Sequence, residues 1–254
     1  MLKIVVIGTG NVSYHLCKAI IEAENLELIE VFGRKKNPPK DLINSISYCK
    51  NIKKIKKADL YILCVSDNAI SKISDELNIN KNSIVVHTSG STNIKLLSKH
   101  KNHGVIYPLQ TFSKNKKIQF TNIPIIIEAN SKLVLDKIKT ICLLISKKVI
   151  ECNSDQRTLI HISAVFTNNF SNYMNVIAEE ILKSNNINSD ILYPLINETA
   201  NKLNYLSPIN AQTGPAIRND QITIQKHLNL LKETKYFEIY DNLTKEIIKS
   251  KNEL

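Results

Sequence analysis

Short, nearly uninterrupted apolar runs rich in β-branched residues recur at 3–7, 28–32, 60–65, 84–87, 105–107, 125–129 and 148–151. Runs of this length with so little polar alternation suit strands covered on both faces. Amphipathic segments at 11–23, 69–77 and 131–146 fall between them as helices. Strand alternating with helix predicts an α/β architecture built on a mostly parallel sheet. After Cys152 the apolar spacing changes to the helical period and keeps it. One long helix is predicted over 155–183, with further helices over 189–203, 222–231 and 236–248. The pattern therefore divides the chain into a sheet domain, 1–152, and an all-helical second domain, 153–254.

The first strand runs directly into Gly8-Thr9-Gly10-Asn11-Val12 and then into an amphipathic helix. In a Rossmann-type crossover, Gly8 permits the tight bend and Gly10 lets the backbone approach a pyrophosphate. The charge of that group meets the amides of the helix N-terminus. The third fingerprint position is Ser13, small but neither glycine nor alanine. Gly8, Thr9, Gly10, Asn11 and Val12 are the expected pyrophosphate cradle of an NAD(P) site. Beyond the second strand stand Arg34, Lys35 and Lys36, where an NAD site wants a carboxylate. Arg34 either clamps a 2′-phosphate, favouring NADP over NAD, or belongs to a basic surface loop. Glu30 is placed within the strand rather than at its tip. Val65 and Ser66 end the 60–65 strand beside the expected ribose and pyrophosphate, and Asp67 reads as a helix cap.

His87-Thr88-Ser89-Gly90-Ser91 closes the next strand, where nicotinamide and substrate would meet. Ser89 and Gly90 either bind substrate there or serve a plain turn and cap, and His87 reads as a packed strand residue. On the long helix, His161 and Asn168 are seven apart and share a face, while Asn169 is about 100° away. His161 is either a proton donor flanked by carboxamides, Asn169 among them, or a satisfied structural histidine. Arg218 projects from a loop broken by Gly214-Pro215, before Asp220 caps the next helix. It suits a carboxylate or phosphate, or else a salt bridge to Asp220. Tyr107-Pro108-Leu109-Gln110-Thr111-Phe112-Ser113 forms a strand and a turn, with Gln110 and Thr111 facing a cleft or the whole acting as a hinge.

The net charge of +11 over 254 residues changes this picture little. Arg34, Arg157 and Arg218 are the only arginines, and the many lysines are scattered without aromatic interleaving, so no specific nucleic-acid partner is expected. Five cysteines form no CxxC pair and no Cys/His cluster, which argues against a structural metal or a disulfide scaffold. Met1 leads straight into a strand with no signal segment, and no 18-residue uncharged apolar stretch occurs. A soluble cytoplasmic protein without membrane partners is the expectation.

With these residues in place, the chain resembles a family that joins a Rossmann domain like that of deazaflavin-dependent NADP reductases to a C-terminal helical domain of unknown function. The likeness rests on His87-Thr88-Ser89-Gly90-Ser91, the Tyr107 to Ser113 segment, Arg157 with His161, Ala164-Val165-Phe166 and Asn169-Phe170. It continues in Thr213-Gly214-Pro215, Arg218, Asp220, Thr223 and His227. The resemblance extends to pyrroline-5-carboxylate reductase, ketopantoate reductase and the 6-phosphogluconate and 3-hydroxyacid dehydrogenases. It implies a homodimer through the C-terminal helices, with the helical domain walling the cleft. Ser89 and Gly90 match the substrate-binding serine-glycine turn of the hydroxyacid enzymes, and the His161 helix matches the one bearing their catalytic lysine and asparagine. Here a histidine stands in the lysine's place. The expected activity is an NADP-dependent oxidoreductase acting on a small carbonyl or imine compound with an acidic group. The alternative is a non-catalytic NADP-binding regulator or redox sensor.

Overall fold

The structure, a computed structural model, describes residues 1–34, 46–114 and 116–252. Lys35 and Lys36, two of the basic residues expected beyond the second strand, lie outside them. The chain divides into two compact units, Met1–Asn169 and Phe170–Leu254.

The first unit is an eight-stranded sheet. Its strands are β1 (Leu2–Ile7), β2 (Leu26–Phe32), β3 (Ser47–Cys49), β4 (Leu60–Leu63), β5 (Ile84–His87), β6 (Asn102–Pro108), β7 (Ile125–Ala129) and β8 (Val149–Glu151). They lie in the order β3-β2-β1-β4-β5-β6-β7-β8. The strands from β3 to β6 are parallel neighbours, β7 runs antiparallel to β6, and β8 is parallel to β7. The order 3-2-1-4-5-6 is that of a doubly wound nucleotide-binding fold, whose direction reverses between β1 and β4. Helices α1 (Asn11–Glu22), α2 (Asp67–Glu76) and α3 (Lys132–Leu143) cover the sheet, and α4 (Ser154–Ala164) follows β8.

Why the strands read as continuous apolar runs is visible in β1. Ile4 and Val6 pack into one apolar layer with Leu16 and Ile20 of α1, while Val5 and Ile7 pack into another with Ile70 of α2. Alternate side chains thus point to opposite faces, and both faces are buried. The missed strand β3 is three half-buried residues at the sheet edge, too short and too wet to leave a pattern. Strand β6 begins three residues earlier than the apolar run because His103 is taken into the interior, its Nδ1 at 2.7 Å from the His100 carbonyl.

In the second unit α5 (Ser171–Ser184), α6 (Tyr193–Lys202), α7 (Pro208–Ala211), α8 (Gln221–Leu231) and α9 (Phe237–Asn252) are all helical. His227 of α8 is hydrogen-bonded to the Tyr240 hydroxyl of α9 at 2.7 Å, an interhelical tie. Tyr236 donates to Glu180 of α5, which also pairs with Lys235. Among the described residues no helix is long and apolar enough to cross a membrane, and no group of three or more His, Cys, Asp or Glu residues is placed to hold a metal ion. The five cysteines are free.

Two buried histidines make stability depend on pH. Burial, then the nearby Arg157 charge, pushes the His87 pKa from 6.5 down to about 4, with Asp67 opposing in part. Burial is also the main cause at His100, again down to about 4, with Lys99 and His103 adding to it. The unfolded chain binds these protons near pH 6.5, whereas the folded chain resists until about pH 4. Their contribution to stability is therefore whole above pH 6.5, falls as the pH drops toward 4, and is lost below. Each histidine contributes a slope of up to about 1.4 kcal/mol per pH unit within that window. Urea unfolding at pH 7.5 and pH 4.5 is expected to show the drop, and His87→Asn should remove about half of it, leaving the share of His100.

Candidate functional site

The glycine turn joins β1 to α1 and is held from both neighbouring strands. Gly8 N–H donates to the Phe32 carbonyl at 2.9 Å, and Cys64 N–H donates to the Ile7 carbonyl at 2.7 Å. Gly8 has φ +126, and a Cβ there would overlap the Cys64 carbonyl oxygen. Ser13 in the third fingerprint position closes the turn, its hydroxyl donating to the Gly8 carbonyl at 2.6 Å. Gly10 is different. As the N-cap of α1 it has an ordinary φ of −76, and among the described residues nothing lies within 4 Å of the place a Cβ would take. Gly10 brings no side-chain cap to the first turn of α1, the end of a helix whose amides suit an anion.

The segment after β6 folds back over this turn. Asn11 donates from Nδ2 to the Phe112 carbonyl at 2.8 Å, and Lys114 Nζ donates to the Thr9 carbonyl at 3.0 Å. His15 Nε2 lies 2.9 Å from the Ser113 carbonyl, and its ring stacks on Phe112. None of these ties is local, and of these residues His15 and Lys114 carry no signal in the sequence, while Phe112 and Ser113 belong to the Tyr107–Ser113 segment.

Glu30 is buried within β2, its two carboxylate oxygens accepting from Ser47 Oγ at 3.1 Å and Lys56 N–H at 2.8 Å. Arg34 is exposed just past the strand. Val65 is half-buried and Ser66 is exposed at the N-cap of α2, which starts two residues earlier than its apolar pattern. Asp67 is thus inside the helix rather than its cap, and accepts from Ser91 Oγ at 2.8 Å.

After β5 the chain turns sharply. Ser89 Oγ accepts from the Thr92 N–H at 2.9 Å and the Ser91 N–H at 3.2 Å, and Ser89 N–H donates to His87 Nδ1. The Ser89 hydroxyl therefore builds the turn. Gly90 is buried against two rings: a Cβ there would lie 2.7 Å from His161 Nδ1 and 2.9 Å from Tyr107 Cζ. The Tyr107 hydroxyl is 3.0 Å from that same His161 nitrogen. Arg157, one turn before His161 on α4, is fully buried and pairs with Glu128 of β7 and the Thr92 carbonyl.

Past Ala164 the helix widens into a π-helical segment, Val165–Phe170. An α-helix would turn Asn169 about 100° away from Asn168. Bonding to the fifth residue changes that register, as such segments do at many functional sites. Asn168 and Asn169 both line one cavity of about 460 Å³ with His161, Tyr107, Asn11 and Val12. Gln110 and Thr111 line it as well. Tyr107 opens the segment for which the sequence leaves a cleft-facing turn and a hinge both open, and it lines the cavity with Gln110 and Thr111. Its one legible signal was its place at the carboxyl end of a parallel strand, where such sheets carry their ligands. Arg218 belongs to the second unit, exposed on a loop bent by Gly214 at φ +109. Asp220 there caps α8 by accepting from Thr223 rather than pairing with the arginine.

A family described as Domain of unknown function (DUF2520) matches residues 123–247. The Bacteroides fragilis protein BF3122, named a "putative NADP oxidoreductase", is 34% identical over 98% of both chains and superposes with a TM-score of 0.90. The chain belongs to the DUF2520 family. The Rossmann-type fold followed by helices is common to it and to more distant structures. A 1-pyrroline-5-carboxylate reductase from Streptococcus pyogenes is 14% identical, with a TM-score of 0.64 over 100% of this chain and 99% of its own. A reductive aminase from Aspergillus terreus, solved with NADPH and ethyl levulinate, is 13% identical, with a TM-score of 0.71 over 100% and 94%. At such identities the likeness is one of fold. A search among curated proteins found no match.

Proposed function

We propose that this DUF2520 protein is a cytoplasmic NADP-dependent oxidoreductase that reduces a small carbonyl or imine compound bearing an acidic group. One observation carries the reading: Asn11 and Val12 of the glycine turn line the same cavity as His161, Tyr107, Asn168 and Asn169. A cradle for a dinucleotide and a set of proton-donating and orienting groups thus share one space. The fit of the cradle is supported by Gly10, whose own backbone and neighbours do not call for glycine but which a pyrophosphate lying on the amides would.

Gly8, Thr9, Gly10, Asn11 and Val12 would hold the pyrophosphate, Val65 and Ser66 would flank the ribose, and Arg34 would read the 2′-phosphate. NADPH, when bound, supplies the hydride. His161 is the source of the proton, Asn168 and Asn169 orient the substrate, and the Ser89 turn with Gly90 shapes the wall behind it. Arg218 is assigned to the acidic group. The helical unit is assigned to pairing with a second copy, which the exposed Ile222, Leu230 and Tyr205 of that unit support.

NADPH oxidation measured across oxoacids, imines and aldehydes, beside direct titration with NADPH and NADH, tests the reading. Tight binding with no oxidation of any compound would favour a redox sensor, a view supported by the histidine standing in the lysine's place. Replacing His161 by alanine is expected to lower kcat by about 10²–10⁴-fold. Cofactor affinity should stay within about twofold, since His161 touches none of the groups assigned to the pyrophosphate. Equal loss of binding and turnover would instead mean that the site has collapsed.

A further inference from the structure

We propose that Tyr107 is a catalytic residue, the group that hands the proton to the substrate, with His161 one step behind it. The inference rests on the oxidoreductase reading above and specifies which atom meets the reacting group.

Three elements converge here: Tyr107 from the end of β6, His161 from α4 and Gly90 from the turn after β5. The two rings meet edge to face, their planes 75° apart, with the hydroxyl 3.0 Å from Nδ1. Gly90 is packed against the Nδ1 edge so closely that one added carbon would sit 2.7 Å from Nδ1 and 2.8 Å from Cγ. The Gly90 turn and the phenol thus lie beside the Nδ1 edge, and among the described residues the Tyr107 oxygen is the hydrogen-bond partner of Nδ1. Tyr107 itself lines the cavity. Burial raises its pKa, which keeps the phenol protonated and able to donate.

The transfer balances without a high-energy anion. When the imidazole carries both ring protons, Nδ1–H donates to the Tyr107 oxygen and leaves the phenol O–H for the substrate. As hydride reaches the carbonyl or imine carbon, the π electrons move to its oxygen or nitrogen, which takes the phenol proton. The phenol oxygen takes the Nδ1 proton in the same motion. Tyrosine is regenerated, His161 is left neutral, and the ring recovers its proton from water.

Tyr107→Phe keeps the ring and removes only the carrier. Its kcat is expected to fall about 10²–10³-fold, with KM and NADPH affinity within about threefold of the parent. Because the two residues act as a unit, the Tyr107→Phe/His161→Ala double variant should be no more than about threefold slower than the worse single variant. Wild-type kcat in Tyr107→Phe, or losses that multiply in the double variant, would overturn the proposal and point to direct donation from His161. A readout independent of turnover is the ¹⁵N resonance of His161 Nδ1, identified by its absence in His161→Ala. It should lose its hydrogen-bonded shift in Tyr107→Phe, and an unmoved resonance also overturns the relay. Should the parent bind NADPH but reduce nothing, the oxidoreductase reading falls and takes the relay with it, while the resonance still reports whether the pair exists.

Discussion

Gly8→Ala is expected to destabilise the protein by at least about 3 kcal/mol and to abolish dinucleotide binding with it. Two effects act together. The backbone at φ +126 is one that L side chains rarely adopt, and the new methyl group would be driven into the Cys64 carbonyl. Neither can relax alone, because Gly8 is bonded to Phe32 on one side and the Ile7 carbonyl accepts from Cys64 on the other. The turn can move only if β1 parts from β2 or β4. Gly10→Ala makes the contrast. Its φ of −76 suits alanine and its Cβ would meet open space, so stability should change by less than about 0.5 kcal/mol. NADPH affinity should nevertheless fall about tenfold or more. Denaturant unfolding and NADPH titration of the two variants separate a glycine the fold requires from one a ligand requires. A Gly10→Ala protein that binds NADPH like its parent would count against the cradle.

That contrast also marks what could be read along the chain. Strands buried on both faces leave unbroken apolar runs, and the glycine turn is a local motif, so sheet, crossover and turn are legible at once. The Arg34 position and the burial of Glu30 within its strand followed from the same register. What the residues do to each other across the fold was not legible. Tyr107 and His161 are 54 positions apart and meet only because β6 lies next to β5, whose following turn carries Gly90. The Ser89 hydroxyl looks the same in a sequence whether it binds a ligand or two backbone amides, and here it binds the amides. The π segment escaped because apolar spacing reports an average period. One wider turn barely alters that average, and Asn169 of that turn lines the cavity beside Asn168. The four residues of α7 are simply too few to carry a period.

Arg157→Met is expected to cost about 3–5 kcal/mol, although it swaps one long side chain for another. Arg157 is fully buried, and its partner Glu128 is only 12% exposed. Removing the guanidinium leaves a carboxylate in the interior with Ser154 Oγ as its remaining side-chain donor. The Thr92 carbonyl loses a donor as well. The same charge pair pins α4 to β7 and to the turn that carries Gly90, so its loss should loosen the Tyr107–His161 contact along with the fold. Taking away both charges separates these consequences. In Arg157→Met/Glu128→Leu no unpaired charge remains, and most of the lost stability should return, because an apolar pair of similar volume often matches a buried ion pair. The Thr92 carbonyl would still lack its donor, leaving the turn less firmly held. Unfolding midpoints near the parent's, together with kcat still depressed, would show that the pair is kept for placement of the site. Full recovery of both would assign it to stability alone.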